Sequence, residues 1–198
     1  MAEIAAPRQL RVDAQRNIDS LVEAAKSLFM SSGVDVPMKE IADRAGVGVG
    51  TLYRHFPLKS DLISAVFKRE IDACAAAAPT LAAAHPPDVA LELWLQRYTE
   101  FVATKHGLAA ALHSGDPAYS TLRVRFEENV GPALQMLLTN AVAAGSVHDG
   151  EDPLELLGAV ANLCIPAPGS TENSRAFRMV ALLVNGLRYG AGGAGLAQ

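Results

Sequence analysis

Apolar residues recur at steps of three and four along most of the chain, and no strand-length run alternates apolar with polar. Ile18, Leu21, Val22, Ala25, Leu28 and Phe29 fall on one stripe and predict a helix over 13–32. Asp13 suits its positive end, and Gly33 suits its stop. Met38, Ile41, Ala42 and Ala45 give a second, short helix one apolar face, and Gly46 ends it. Asp35 is a candidate cap ahead of it, with Pro37 in the first turn. Gly48 serves as N-cap to a third helix, about 49–55, which buries Leu52 and leads into Phe56. Ser60 and Asp61 cap a fourth helix carrying Leu62, Ile63, Val66, Phe67 and Ile71, expected to end near Ala78, before Pro79.

Residues 79–87 hold three prolines and an alanine run, which reads as a boundary. A helix over 88–106 follows, with Leu91, Trp94, Leu95, Tyr98, Phe101 and Val102 on one stripe. Residues 108–114 read as a short helix or turn, broken by Gly115-Asp116-Pro117. A long segment over 120–144 carries Phe126, Val130, Leu134, Leu137, Leu138 and Val142, with Gly131-Pro132 expected to bend or split it. Asp152 and Pro153 form an N-cap and first-turn pair for a helix to about residue 165. The last helix spans about 172–189, before a glycine-rich tail. The predicted class is all-α.

Net charge is −4 over 198 residues, so bulk charge would not hold a polyanion. The distribution is lopsided. Residues 1–70 hold ten basic and nine acidic side chains, whereas 71–198 hold seven and twelve. Any nucleic-acid affinity must therefore come from local placement of basic groups. The first twelve residues, with Pro7, Arg8 and Arg11, read as a short terminal arm; laid along a duplex it would suit a phosphate backbone or minor groove. Cys74 and Cys164 lack metal-ligand spacing and read as small buried apolar groups. No secretory pattern and no membrane-length apolar run occurs, which points to a cytoplasmic protein.

Residues 38–56, MKEIADRAGVGVGTLYRHF, are the stretch around which the chain is organised. A short helix bearing polar, aromatic and basic side chains, braced by the helix before it, is the shape that enters a DNA major groove. The matching residues are Phe29 and Gly33, then Glu40-Ile41-Ala42, Ala45-Gly46-Val47, and Gly50 through Phe56 with Lys59 behind. On them the chain resembles the tetracycline-repressor (TetR) family of transcriptional regulators over its first third. The resemblance implies a three-helix helix-turn-helix domain followed by a helical domain for ligand binding and dimerisation. The expected division is 1–57 for the DNA-binding domain, 58–78 for a connecting helix and 79–198 for the effector and dimerisation domain. Three positions depart from the family: Pro37 where Thr or Ser is usual, Gly48 where Ser is common, and Val49 where a polar or basic residue is common. Each removes hydrogen-bonding capacity from the expected DNA face.

Carried over residue by residue, the resemblance implies that Lys39, Val49, Gly50, Thr51, Tyr53, Arg54, His55 and Lys59 contact DNA. Lys39 would approach a phosphate or base edge, and Arg54 is suited to bidentate reading of guanine. Val49 offers apolar contact only, for example with a thymine methyl, while Thr51, Tyr53, His55 and Lys59 would sit on phosphates. The stripes Leu156, Leu157, Val160, Cys164 and Phe177, Val180, Val184, Leu187 are expected to form a homodimer, with Gly158 and Gly186 allowing close helix approach. Trp94, Tyr98, Phe101, Phe126 and Met136 are expected to line an apolar effector cavity, with His113 as a polar group.

No catalytic constellation stands out. The five histidines, at 55, 85, 106, 113 and 148, show neither HExxH spacing nor a cysteine partner, and there is no GxSxG elbow. No enzyme activity, metal or cofactor is expected. The expected partners are a pseudo-palindromic duplex operator, a second copy of the chain and a small hydrophobic effector. The expected function is a repressor that the effector releases from DNA. The alternatives are a constitutive DNA-binding protein and, behind it, a helical enzyme or ligand carrier.

Overall fold

The computed structural model describes residues 5–108, 114–164 and 174–189. Among them the regular structure is helical throughout: α1 (Ala5–Ser32), α2 (Met38–Ala45), α3 (Val49–His55), α4 (Lys59–Ala84), α5 (Pro87–Gly107), a 3-10 turn (Pro117–Tyr119), α6 (Leu122–Ala143), α7 (Pro153–Leu163) and α8 (Ser174–Tyr189). None of these helices is long and apolar enough to cross a membrane. The all-α expectation is met. The chain packs as two units, one from Met1–Arg69 with Thr104–Leu122, the other from Glu70–Ala103 with Arg123–Gln198. Both α4 and α5 therefore contribute to each unit. The expected division, with 58–78 as a separate connecting helix, does not follow this packing.

In the first unit, Leu21, Val22, Ala25, Leu28 and Phe29 of α1 are buried, as are Met38, Ile41 and Ala42 of α2 and Leu52 of α3. Two short helices of eight and seven residues could not persist alone, since helices this short are marginal in water without tertiary packing. α1 starts at Ala5 and absorbs most of the stretch expected as an arm. Pro7 lies in its first turn, where a missing N–H costs nothing. Asp13 is consequently inside the helix rather than at its positive end, and it pairs loosely with Arg16 at 3.7 Å.

The second unit is cored by Leu91, Trp94, Leu95, Tyr98, Phe101 and Val102 of α5, with Val130, Leu134 and Leu137 of α6. Three proline expectations resolve differently. α4 continues through Pro79 to Ala84 instead of stopping at Ala78. An interior proline costs a helix about 3 kcal/mol. The cost is offset here by alanine-rich flanks, by burial of Ile71, Cys74 and Ala78 on one side, and by an exposed position for the ring. α6 is likewise not split at Gly131-Pro132. Pro132 is exposed, while Gly131 lies under Leu154 of α7, whose Cδ2 would be 3.3 Å from an added Cβ. Asp152 caps α7 as expected, accepting from the Leu154 and Glu155 amides at 2.8 and 2.9 Å, with Pro153 next to it.

Candidate nucleic-acid interface

The turn between α2 and α3 sets the geometry. Gly46 adopts φ 67°, a left-handed conformation that costs a residue with a Cβ, and closes α2 through bonds to Ala42 and Asp43 carbonyls. The Val47 amide donates to the Ala42 carbonyl at 3.0 Å. Gly48 then takes an extended conformation and starts α3 without any side-chain cap. Pro37 occupies the equivalent position before α2, so the suggested capping by Asp35 does not occur.

Leu52 pins α3 to the core, and its rotation decides what faces outward. Val49 and Tyr53 are 43% and 51% exposed, and Gly50 and Arg54 are exposed beside them. Thr51 and His55 are half-buried on the flanks. These six residues thus share one short helix, four of them exposed and two half-buried. Such a surface offers a guanidinium fork, an imidazole, a phenol and a hydroxyl, with an apolar patch and a gap at Gly50.

The two lysines assigned to the same surface are engaged by the protein itself. Lys39, exposed on α2, donates to Asp43 Oδ2 at 2.8 Å, and that hydrogen bond and charge raise its pKa. Its ammonium keeps two further N–H donors for a phosphate, with the Asp43 carboxylate beside them. Lys59 is half-buried, and its Nζ donates to the Val34 carbonyl at 2.7 Å. The bond spans 25 residues and fastens the start of α4 to the loop that leads into α2. In the free protein the geometry gives Lys59 a bracing role. The sequence held a hint of this: Gly33, at φ 78°, turns the chain out of α1 and leaves the following carbonyls outside a helix.

In the second unit, Trp94 and Tyr98 stack at 5.9 Å, Tyr98 and Phe101 at 5.7 Å, and Phe101 and Phe126 at 5.7 Å. The four aromatic residues expected to line a cavity therefore come together with their rings against one another, Tyr98 and Phe126 meeting at a 36° tilt. Met136 is half-buried, and His113 lies outside the described residues. Trp94 Nε1 donates to the Cys74 carbonyl at 2.9 Å, and Tyr98 Oη to the Leu157 carbonyl at 3.3 Å. Burial raises the Cys74 thiol to about 12 and also raises Tyr98 and Cys164, the last against a hydrogen bond with Thr99.

The stripes assigned to dimerisation point elsewhere than expected. Leu156, Leu157, Val160 and Cys164 are buried within the single chain, as are Val180, Val184 and Leu187, with Phe177 half-buried. The larger apolar side chains went inward because the protomer's own core needs them. The outward faces carry Leu154, Gly158 and Ala161 on α7 and Leu182, Gly186 and Tyr189 on α8. The two sets share the spacing i, i+4, i+7. Gly158 and Gly186 lie on a different face from the large residues once a helical period is imposed.

The family model described as bacterial regulatory proteins of the tetR family matches residues 21–66. A second, the C-terminal domain of SbtR-like transcriptional regulators, matches residues 86–189. A helix-turn-helix-type transcriptional regulator of Staphylococcus aureus is 45% identical over 64 residues, 32% of this chain and 35% of that protein. The chain thus spans about a third of the length of the curated relatives it matches. Among solved structures, a TetR transcriptional regulator from Streptomyces coelicolor is 32% identical with a TM-score of 0.75, covering 86% of this chain and 98% of that one. The TetR transcription regulatory protein from Mycobacterium vanbaalenii is 33% identical with a TM-score of 0.70, over 90% and 99% respectively. With both ends of the chain matched by family models and nearly the whole fold shared at this identity, the protein belongs to the TetR family of helix-turn-helix transcriptional regulators.

Proposed function

We propose that this regulator is a cytoplasmic repressor that holds a pseudo-palindromic operator as a homodimer and leaves it on binding a small hydrophobic molecule. The observation that carries the reading is the outer surface of α3, where Val49, Gly50, Tyr53 and Arg54 stand exposed on a helix fixed from behind by Leu52. Arg54 is assigned to a guanine edge, and Thr51 and His55 to flanking phosphates. Lys39 joins them through its remaining N–H donors to a phosphate oxygen. Lys59 acts by holding the Val34 carbonyl and so the angle at which α2 and α3 meet DNA.

TetR-family proteins bind DNA operators and form dimers. A lone seven-residue recognition helix buries little, and two copies related by a two-fold axis read half-sites about 34–36 Å apart. The dimer contact is assigned to the outward faces of α7 and α8, with Leu154 and Leu182 as the exposed apolar anchors. The effector is assigned to the aromatic cluster of α5 and α6, whose stacked side chains are themselves uncharged. That composition favours a neutral aromatic or aliphatic molecule.

A second reading follows from the cluster itself. Four rings stacked on one another are also what a solid core looks like, and a protein so built would bind DNA without an effector. Two measurements separate these readings. Duplexes are selected from a randomised pool by the full-length protein at moderate salt, and each apolar compound that raises its melting temperature is then tested for release of the selected duplex. Stabilisation with release supports the switch. A retained duplex that no stabilising compound releases supports the constitutive binder, and failure to select any duplex rejects both. Arg54→Ala is expected to cost about 1–3 kcal/mol and to relax preference at one base pair.

A further inference from the structure

We propose that α3 reads C5-methyl groups of pyrimidines in the major groove through an apolar strip formed by Val49 and the ring of Tyr53. The inference rests on the DNA-binding reading above and gives that surface its specificity. Val49 and Tyr53 are four residues apart and so lie one above the other on the helix. Both are about half exposed. Neither exposure serves the free protein. A β-branched residue is a poor helix former, and the exposed part of one at the first turn of a seven-residue helix gains nothing from water. Val49 has no donor or acceptor on its side chain and cannot bind a phosphate or a base edge by hydrogen bonding.

Gly50 completes the argument. A Cβ built there meets nothing within 4 Å, so packing inside the protein does not demand glycine. Its φ is not in the left-handed region, so the backbone does not demand it either. The gap lies between the Val49–Tyr53 strip and Arg54, and it lets a base edge come close to the helix backbone. Among the features that base pairs display in the major groove, the pyrimidine C5-methyl is the apolar one; the rest are donors and acceptors. A strip with no hydrogen-bonding capacity, flanked by an arginine suited to guanine, therefore matches a methylated pyrimidine near a guanine. Thymine and 5-methylcytosine share this chemistry. Tyr53 then contributes its ring as well as, or instead of, the phosphate contact expected of its hydroxyl.

The test uses the full-length protein and a duplex it selects from a randomised pool. Each thymine of that duplex is replaced in turn by deoxyuridine, which removes only the methyl group. One position per half-site should weaken binding about fourfold, and both together about fifteenfold, as burial of one methyl in each half predicts. Placing 5-methylcytosine with its guanine partner at that position should recover more of the affinity than cytosine does. Val49→Ala should abolish discrimination between thymine and deoxyuridine there, with the melting temperature unchanged and guanine dependence retained. Tyr53→Phe should keep the discrimination and Tyr53→Ser should diminish it. Unchanged affinity on deoxyuridine replacement at every thymine overturns the methyl reading while leaving DNA binding intact. Persistent thymine discrimination in Val49→Ala overturns the assignment to this strip. If no duplex is selected at all, the DNA-binding reading fails first and this one with it.

Discussion

Gly158 and Gly186 offer a test in which the protomer and the dimer should respond with opposite signs. Both glycines are exposed, and a Cβ added at either meets no atom within 4 Å in the single chain. Each sits inside a helix, α7 or α8, where glycine costs about 1 kcal/mol relative to alanine. Gly158→Ala and Gly186→Ala should therefore stabilise the isolated protomer by up to about 1 kcal/mol each. If the outward faces of these helices meet their own copy, two-fold symmetry places every added methyl in the interface twice. Overpacking a close helix contact costs about 1–3 kcal/mol per site. The dimer should then weaken by about 2–6 kcal/mol, a factor of roughly thirty to more than ten thousand. Leu182→Glu serves as a second probe, because Leu182 is 62% exposed and its loss leaves the protomer core untouched. Sedimentation equilibrium over a concentration series gives the dimer constant, and thermal melting at high dilution gives the protomer stability. The expected result is a higher melting temperature with a weaker dimer for Gly186→Ala, and a monomer for Leu182→Glu. Dimer constants equal to the parent in both variants would refute the assigned face, and a parent protein monomeric at micromolar concentration would refute the dimer.

Lys59→Met should lower stability by about 1–2 kcal/mol through loss of the bond to the Val34 carbonyl, and should weaken binding to all duplexes without changing the salt slope; a slope reduced by about one would restore a phosphate contact. Burial raises Cys74 from 9.0 to about 12, so above pH 9 the unfolded chain releases a proton that the folded chain keeps. Stability should fall between pH 9 and 12, by up to about 1.4 kcal/mol per pH unit for this group, and urea unfolding should show a shallower fall in Cys74→Ala. An unchanged slope in that variant would place the thiol in water. Trp94→Phe should cost about 2 kcal/mol, from one buried hydrogen bond and a partly filled void, and an effect below half of that in thermal unfolding would contradict the packing described.

Periodicity and punctuation carried most of the fold. The stripe from Leu21 to Phe29, the Gly46 turn and the Asp152-Pro153 start of α7 are local features, and local physics decided them. Proline was the weak signal. Pro79 and Pro132 are exposed on helices whose other face is buried, and no short window of sequence reveals that tertiary support. Helical period also brought Trp94, Tyr98, Phe101 and Phe126 to one place, yet could not distinguish walls of a cavity from rings stacked on each other. The outward residues of α3 followed from the single fact that Leu52 must be buried. The roles of the two lysines did not, because the Lys59 bond to Val34 spans 25 residues and the partner is a backbone carbonyl that carries no sequence signature. The burial of the α7 and α8 stripes within the protomer has a related reason. Large apolar residues mark a buried face without saying whether the same chain or a second copy buries it.

The two polar atoms inside the aromatic cluster show how an effector site there would be coupled to its surroundings. α5 bonds through Trp94 to a carbonyl of α4, and one turn later through Tyr98 to a carbonyl of α7. α4 is the helix that also supplies residues 59–69 to the unit containing α3, and α7 carries one of the faces assigned to the second copy. A molecule entering between the stacked rings has to part them. Parting Trp94 from Tyr98 strains two hydrogen bonds whose acceptors belong to different helices. The cost is on the order of 1 kcal/mol for each bond lost. That is comparable to the coupling energies by which one site commonly alters affinity at another, about 1–3 kcal/mol. The same arithmetic sets a limit. Coupling of this size changes operator affinity by tens of times rather than by many thousands, so release would depend on repressor being held near its dissociation constant, where a modest shift empties the operator.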